Sequence, residues 1–361
     1  MPKIAIDISP LNNGNSVRGV GYYTKNLVAA LQREVSTNPG FKNFQIDLIE
    51  NSTNLQSKSY DLIHYPYFDP FFLTLPFKSN IPTIISMHDL IPLELKNMYP
   101  VGIKGWLKWQ FQRYKARQAN YIITISHYSK YIISDLLHYP VDKIYVTYLA
   151  ADNSFKKIKD SKKLSSIKKK YNLPSKFVLY LGDINRNKNI PTLVESCLKL
   201  KYPLVIVGSS ATEKVDDHPW TKDLIWLQSQ AQEHESTSEL LLLLGYVPND
   251  DLPSIFNLAT IYCQPSYSEG FGLPLVQAMQ SGLPVVYSQA SSLPEVMDYN
   301  GESFDPYQSD DLTRALKKLW TNPKLLSQYS KSGLARAKIF SWRNVALQTL
   351  AVYQLALLNE K

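Results

Sequence analysis

Apolar residues in this chain fall into short runs of about five, separated by stretches whose apolar positions recur at helical period. Ile4–Ile8 reads as a buried strand, followed by a helix over about Gly21–Val35. Strands follow at Gln45–Ile49, Leu62–His64 and Thr83–Met87, then a helix at Lys104–Gln118. A strand at Tyr121–Ile125, a helix from about Ser129 and a strand at Ile144–Tyr148 complete the first half. After a polar, lysine-rich stretch from Asp152 to Asn172 the alternation restarts. Its strands are Phe177–Leu181, Leu204–Val207, Leu240–Leu244, Thr260–Gln264 and Pro284–Tyr287. Its helices are Ile190–Leu200, about Asp250–Leu258 and Pro274–Gln280, and a helical tail covers Ser309–Trp320, Pro323–Lys338 and Trp342–Leu358. Strands that alternate with helices in this way build parallel sheets covered on both faces, and ligands then bind beyond the carboxyl ends of the strands.

A length of 361 residues suits two such units rather than one core. No apolar run approaches the roughly 18 residues of a membrane span. The start, MPKIAIDISP, lacks the basic-then-apolar pattern of a signal peptide, so export is not expected. Two isolated cysteines, Cys197 and Cys263, fit a reducing compartment and support neither a disulfide scaffold nor a cysteine-based zinc site. A cytoplasmic protein is the expectation.

The net charge of +8 invites a nucleic-acid or membrane reading, but it is unevenly placed. Residues 1–150 carry 15 basic and 10 acidic groups, residues 151–175 carry 8 and 2, and the rest carries 16 and 19. Residues 96–131 hold seven cations and no acid, among them the run KGWLKWQFQRYKAR from Lys104 to Arg117. Interleaved aromatics and cations suit an interfacial helix on an anionic bilayer, which would place the protein peripherally on the inner membrane face. They also suit a helix with aromatics inward and cations outward, while a nucleic-acid stacking surface is the least favoured of the three.

Several chemistries are absent from the sequence. It has no P-loop, no complete dinucleotide fingerprint, no H-E-x-x-H, no C-x-x-C and no Asp-x-Asp. The chemistry must lie in loops at strand ends. Ser268–Val286 reads SEGFGLPLVQAMQSGLPVV. Gly270, Phe271, Gly272 and Leu273 open a helix whose amino end could bind phosphate, and Glu269 could accept hydrogen bonds from sugar hydroxyls. A glycine turn that merely caps a buried helix is the plainer alternative. Val178–Ser196 contains a strand ending at Gly182 and a loop with Arg186 and Lys188, whose charge could meet a leaving diphosphate. His88 and Asp89 follow a strand directly, where a histidine could donate to a sugar hydroxyl. Gly19 and Gly21 open the first helix beside Arg18.

These windows together resemble family 4 of the retaining glycosyltransferases, the glycosyl transferases group 1, which have the two-Rossmann-domain (GT-B) fold. EGFGLP begins the family's E-x7-E motif, and Glu269 matches its first glutamate. The second position holds Gln277 instead of glutamate, an amide that can still bond a ribose hydroxyl without the charge-assisted strength. Lys188 and Asn189 match the end of the family's Arg-Lys-Asn loop, whose arginine position holds Asn187, with Arg186 one residue earlier. The similarity runs from Ile4 to about Tyr353.

The resemblance implies an α/β, GT-B architecture with two Rossmann-like domains facing a central cleft. Residues 1–160 would bind the acceptor, residues 161–340 the donor, and a closing helix in 341–361 would cross back to the first domain. It implies transfer of a hexose from a nucleotide-sugar donor to a glycan or lipid-linked acceptor, in polysaccharide or glycolipid synthesis. Glu269, Lys188 and His88 would be catalytic. Gly270, Phe271, Gly272, Leu273, Gln277, Arg186, Gly182 and Gly21 would bind the donor, and Arg18 and Asp89 the acceptor. Neither a cofactor nor a metal is expected, because Lys188 and helix ends would take the charge. A non-catalytic nucleotide-sugar-binding protein and a nucleotide-sugar epimerase of the same fold are the rivals.

Overall fold

The computed structural model describes the chain except residues 17–18, 51–59, 76–80, 215, 217, 219, 234–239 and 359–361. It forms two compact units. The first comprises Met1–Lys96, Pro100–Ala150 and Phe340–Lys361, and the second comprises Asn97–Tyr99 and Ala151–Ile339.

In the first unit, strands β1 (Lys3–Asp7), β2 (Gln45–Ile49), β3 (Leu62–Tyr65), β4 (Thr83–Ser86), β5 (Tyr121–Thr124) and β6 (Ile144–Val146) form a parallel sheet. Their order is β2-β1-β3-β4-β5-β6. The helices are α1 (Gly19–Thr37), the single turn α2 (Ile91–Glu94), α3 (Ile103–Ala116) and α4 (His127–Leu137). Successive strand residues point to opposite faces. Ile4, Ile6, Ile84 and Ile123 therefore pack with Leu27 and Leu31 of α1, while Ala5, Ile85 and Ile122 pack with Trp109 of α3 and Ile133 of α4.

In the second unit, α5 (Ser161–Lys170) covers part of the lysine-rich stretch. Asp160 caps it by accepting from the Lys163 N–H at 3.0 Å, and Lys168–Lys170 sit at its negative dipole end. The sheet strands are β7 (Val178–Leu181), β8 (Leu204–Val207), β9 (Leu241–Leu243), β10 (Ile261–Gln264), β11 (Val285–Ser288) and β12 (Glu302–Phe304), in the order β12-β11-β10-β7-β8-β9, all parallel. The helices are α6 (Ile190–Leu200), α7 (Lys222–Glu233), α8 (Leu252–Leu258), α9 (Leu273–Ser281), α10 (Leu293–Met297), α11 (Ser309–Trp320) and α12 (Pro323–Ala337). The chain then ends in the first unit as α13 (Trp342–Leu358), where Val345, Leu350 and Tyr353 join the core beside α1.

This second order is the doubly wound one, whose direction reverses between β7 and β10, the place where such sheets bind ligands. The first sheet reverses between β1 and β3. Both switch points carry the polar clusters described next.

Candidate functional site

At the second unit's switch point, two loops far apart in sequence meet. After β7 the chain makes a 3-10 turn over Arg186–Lys188. Asn189 then takes a left-handed conformation (φ 54°) to start α6, with its amide held by the Pro265 and Pro306 carbonyls at 3.2 and 3.3 Å. After β10 the loop Pro265–Gly272 leads to α9.

Glu269, 7% exposed, is the centre of the cluster. Lys188 Nζ donates to Glu269 Oε1 at 2.8 Å and to Oε2 at 2.7 Å. Oε1 also accepts from Gln264 Nε2 and Ser266 Oγ, each at 2.7 Å. Gln264 accepts in turn from the Tyr262 hydroxyl at 2.5 Å and donates to Ser266 Oγ at 2.9 Å. Main-chain bonds fix the loop itself: the Glu269 N–H donates to Ser291 Oγ at 2.8 Å, and Ser292 Oγ donates to the Glu269 carbonyl at 2.9 Å. A carboxylate held by three donor groups is pre-oriented, so a ligand meets it without an ordering cost. Gln264, Ser266 and Tyr262 escaped the sequence reading. Their only signal was polar residues at the end of an apolar strand, just before the glutamate.

Asn187 is no stand-in for a surface cation. It is 4% exposed and braces the two loops. Its Nδ2 donates to the Ser268 carbonyl at 2.9 Å, its carbonyl accepts from the Tyr267 N–H at 2.8 Å, and its Oδ1 accepts from the Tyr99 hydroxyl at 2.5 Å. Arg186 is partly buried and faces Asp223, whose carboxyl is raised by burial and pulled back by that guanidinium. Gly182 closes β7, with its N–H on the Val207 carbonyl at 3.0 Å.

Gly270, Phe271 and Gly272 are buried and lead into α9. Gly272 has φ +83°, and a Cβ there would lie 2.7 Å from Leu293, so only glycine makes this entry. Pro274 has no N–H, and the Leu275 N–H is taken by the Gly272 carbonyl at 2.9 Å. Neither Pro274 nor Leu275 therefore has an N–H to offer a ligand. Gln277, on the same helix, has its Oε1 buried with no hydrogen-bond partner among the described residues. A buried unpaired amide oxygen costs about 1–3 kcal/mol, and a ligand hydroxyl would relieve it.

In the first unit, His64 on β3 is fully buried. Its Nδ1 lies 2.6 Å from the Tyr353 hydroxyl and its Nε2 2.8 Å from Ser86 Oγ. Ser86 also bonds the Tyr23 hydroxyl at 2.8 Å, and Tyr23 packs edge-on against the His88 ring at 4.5 Å. Burial lowers His88 to about 4, and burial together with His88 lowers His64 to about 3. Both are therefore neutral near pH 7. His88 Nε2 is buried with no partner among the described residues. A neutral imidazole with an unpaired nitrogen can serve a hydroxyl as donor or acceptor, according to its tautomer. Asp89 accepts from the Ile91 N–H at 3.2 Å and so opens α2.

As expected, α1 opens at Gly19 with Gly21 in its first turn, its N–H on the Asn15 carbonyl at 3.1 Å. A Cβ there would come within 2.5 Å of the Asn15 and Ser16 carbonyl oxygens. Its close approach is to the chain's own backbone. Arg18 lies outside the described residues. Among the described residues no group of three or more His, Cys, Asp or Glu could hold a metal ion, and no helix is long and apolar enough to cross a membrane.

The glycosyl transferases group 1 family model matches residues 161–336, and the glycosyltransferase family 4 model matches residues 36–155. The two matches span most of the chain, which belongs to this family of glycosyltransferases. The O-antigen chain mannosyltransferase B of Escherichia coli is 32% identical over 243 residues, 66% of this chain and 61% of that protein. The serotype-specific mannosyltransferase WbdA of Escherichia coli is 28% identical over 288 residues, which is 77% of this chain and 34% of that protein. The chain thus spans less than two thirds of these relatives' length. Among solved structures, the sucrose-phosphate synthase of Thermosynechococcus elongatus superposes with a TM-score of 0.75 at 18% identity, over 98% of this chain and 99% of that one. Anabaena HepE in complex with UDP and glucose superposes with a TM-score of 0.73 at 16% identity, over 98% of this chain and 100% of that one. The fold is GT-B.

Proposed function

We propose that this chain transfers a hexose from a nucleotide-diphosphate sugar to a hydroxyl of a glycan or lipid-linked acceptor, in the synthesis of a cell-surface polysaccharide or glycolipid. The names of its Escherichia coli relatives favour mannose, and the HepE complex supports a nucleotide-sugar donor. The observation that carries the reading is the Lys188–Glu269 pair at the β7/β10 switch point.

Each site residue then has a task. Lys188 Nζ neutralises the diphosphate as it departs. Glu269 Oε2, whose one partner among the described residues is Lys188, accepts from a hydroxyl of the transferred sugar. Gln277 Oε1 accepts from a ribose hydroxyl. His88 serves a hydroxyl of the acceptor. Transfer proceeds with retention and without a protein nucleophile. The bond from the anomeric carbon to the phosphate oxygen breaks, the acceptor oxygen bonds the same face, and its proton passes to the departing phosphate. No metal takes part, because Lys188 and the backbone N–H groups of residues 270–273 carry the charge.

A panel of GDP-, UDP- and dTDP-sugars with glycan acceptors tests this, with nucleoside diphosphate release and the anomeric configuration of the product as readouts. An α-linked product from an α-configured donor is expected. An inverted product would overturn the mechanism, and no transfer from any donor would overturn the activity. The paired Lys188–Glu269 and the asparagine at position 187 favour one second reading, donor binding without turnover. Nucleotide sugars that raise Tm but release no diphosphate would establish it.

A further inference from the structure

Helices α1 and α13 of the first unit pack together through Leu27, Leu31, Val345 and Leu350, and leave a groove beside that contact. Its volume is about 740 Å³, inside the range of about 300–1,000 Å³ that small-molecule sites occupy. One wall is a stripe of α1 at helical spacing, Asn26, Ala29, Arg33 and Glu34. The other is Trp342 and Arg343, which open α13. Arg33, Glu34 and nearby Asn38 lie where α1 ends and the chain turns back toward the amino end of β2, whereas His88 follows the carboxyl end of β4. The groove is therefore apart from the polar clusters at the switch points.

Two buried polar groups in this lining are poorly satisfied. Glu34 is 5% exposed. Its Oε1 accepts from Arg343 Nε at 3.3 Å and its Oε2 from Asn38 Nδ2 at 3.5 Å, both longer than the about 2.7–2.9 Å of a well-formed charge-assisted bond. Trp342 Nε1 is buried with no hydrogen-bond partner among the described residues. The indole is set in place by Tyr22 and Tyr23, whose ring centres lie 5.8 and 6.2 Å from its own.

The lining selects the ligand's chemistry. A carboxylate that accepts and an indole that donates are both served by hydroxyl groups, which do either. An anion would meet Glu34, and a cation would meet Arg33 and Arg343. The Trp342 ring and the Ala29 methyl group add apolar surface against which the C–H face of a sugar ring can lie. We propose that this groove is a second carbohydrate site that holds a neutral hexose glycan. Glu34 accepts from one sugar hydroxyl, Trp342 Nε1 donates to another, and the two arginines donate to further oxygens. The inference goes beyond the transferase reading and does not depend on it, because binding is read without turnover.

The test is affinity electrophoresis of the full chain in native gels that contain α-mannan, dextran or hydroxyethylcellulose, with a polymer-free gel as reference and heparin as the anionic control. Retardation by at least one of the three neutral polymers is expected. Ala29→Trp fills the groove from an exposed position and should raise the dissociation constant at least tenfold, and Arg33→Ala at least threefold. Glu269→Gln, in the second unit, should be retarded like the parent. Circular dichroism spectra and Tm values that match the parent show that the exposed changes leave the fold intact. No retardation by any neutral polymer, or retardation of either groove variant equal to the parent's, would overturn the proposal. So would retardation by heparin alone, which assigns the arginines to an anion, or a loss in Glu269→Gln that Ala29→Trp does not share, which places the glycan in the other site.

Discussion

Lys188 gives its ammonium to both carboxylate oxygens of Glu269 across 81 residues of sequence. The lysine is partly exposed, while the glutamate is nearly closed off. Glu269 keeps Gln264 and Ser266 as donors if the lysine moves, so the pair can open toward a diphosphate without stranding the carboxylate. Lys188→Ala should lower transfer by about 10²–10³-fold, the loss seen when one electrostatic stabiliser of a transition state is removed. Glu269→Gln keeps the shape and most hydrogen bonds, so its loss should appear in transfer and not in Tm. Parent-like rates in either folded variant would sink the assignment.

The brace between Tyr99 and Asn187 makes a sharper prediction. The family arginine cannot simply be restored here. Asn187→Arg would force a long cation into a buried position already bonded to Ser268, Tyr267 and Tyr99, and should cost about 1–3 kcal/mol of stability. Tyr99→Phe should cost about 1–3 kcal/mol by leaving a buried amide oxygen unpaired. Urea unfolding measures both. An Asn187→Arg variant that is as stable as the parent and faster would show that the position is an open cation site.

The alternation of apolar runs with helical stretches was enough to read two parallel sheets, because strands buried on both faces are continuously apolar. Strand β12 (Glu302–Phe304) was not legible. It has three residues, and its buried Glu302 is paired by Lys318, which bonds both carboxylate oxygens at 2.8 Å, by Arg314 at 3.6 Å and by the Tyr329 hydroxyl at 3.3 Å. His88 stood out because it directly follows an apolar strand, and Glu269 and Lys188 because their loops resemble the family's EGFGLP and Arg-Lys-Asn motifs. The support from Gln264 and Ser266 could not be read, since it depends on side chains folding back within a five-residue loop. Nor could the role of Asn187, whose partner Tyr99 lies 88 residues away. For α3, the composition was plain but its rotation was not. Gln112 at the centre of the inner face, with Phe72 and Leu73 held outside, is a tertiary fact.

If Lys188 and the turn at residues 270–273 carry the diphosphate charge, transfer should not need a divalent ion. Prolonged treatment with a chelator, followed by assay in chelator, should leave the rate within about twofold of the untreated protein. Loss of activity restored by magnesium or manganese would assign the charge to a metal and remove the stated role of Lys188.

The buried histidines fix how stability responds to acid. His64 faces Tyr353 from α13, Ser86 at the end of β4 and, through Ser86, Tyr23 from α1, with His88 as the neighbouring titratable group. Among the described residues no carboxylate bonds its ring, so a proton there gains no counter-charge from them. In the folded chain His64 is lowered to about 3 and His88 to about 4, against 6.5 for an ordinary histidine. As pH falls below about 6.5 the unfolded chain takes up these protons and the folded chain does not. The stabilisation from keeping them neutral is complete above that pH. It is lost on acidification at about 1.4 kcal/mol per pH unit for each histidine, until the folded pKa values are reached. His64→Gln keeps hydrogen-bonding groups toward Ser86 and Tyr353 but cannot titrate. Urea unfolding between pH 6 and 5 should show a distinctly shallower loss of stability in this variant than in the parent. An unchanged slope would mean that His64 is protonated in the folded protein, and that the network around Ser86 carries a charge.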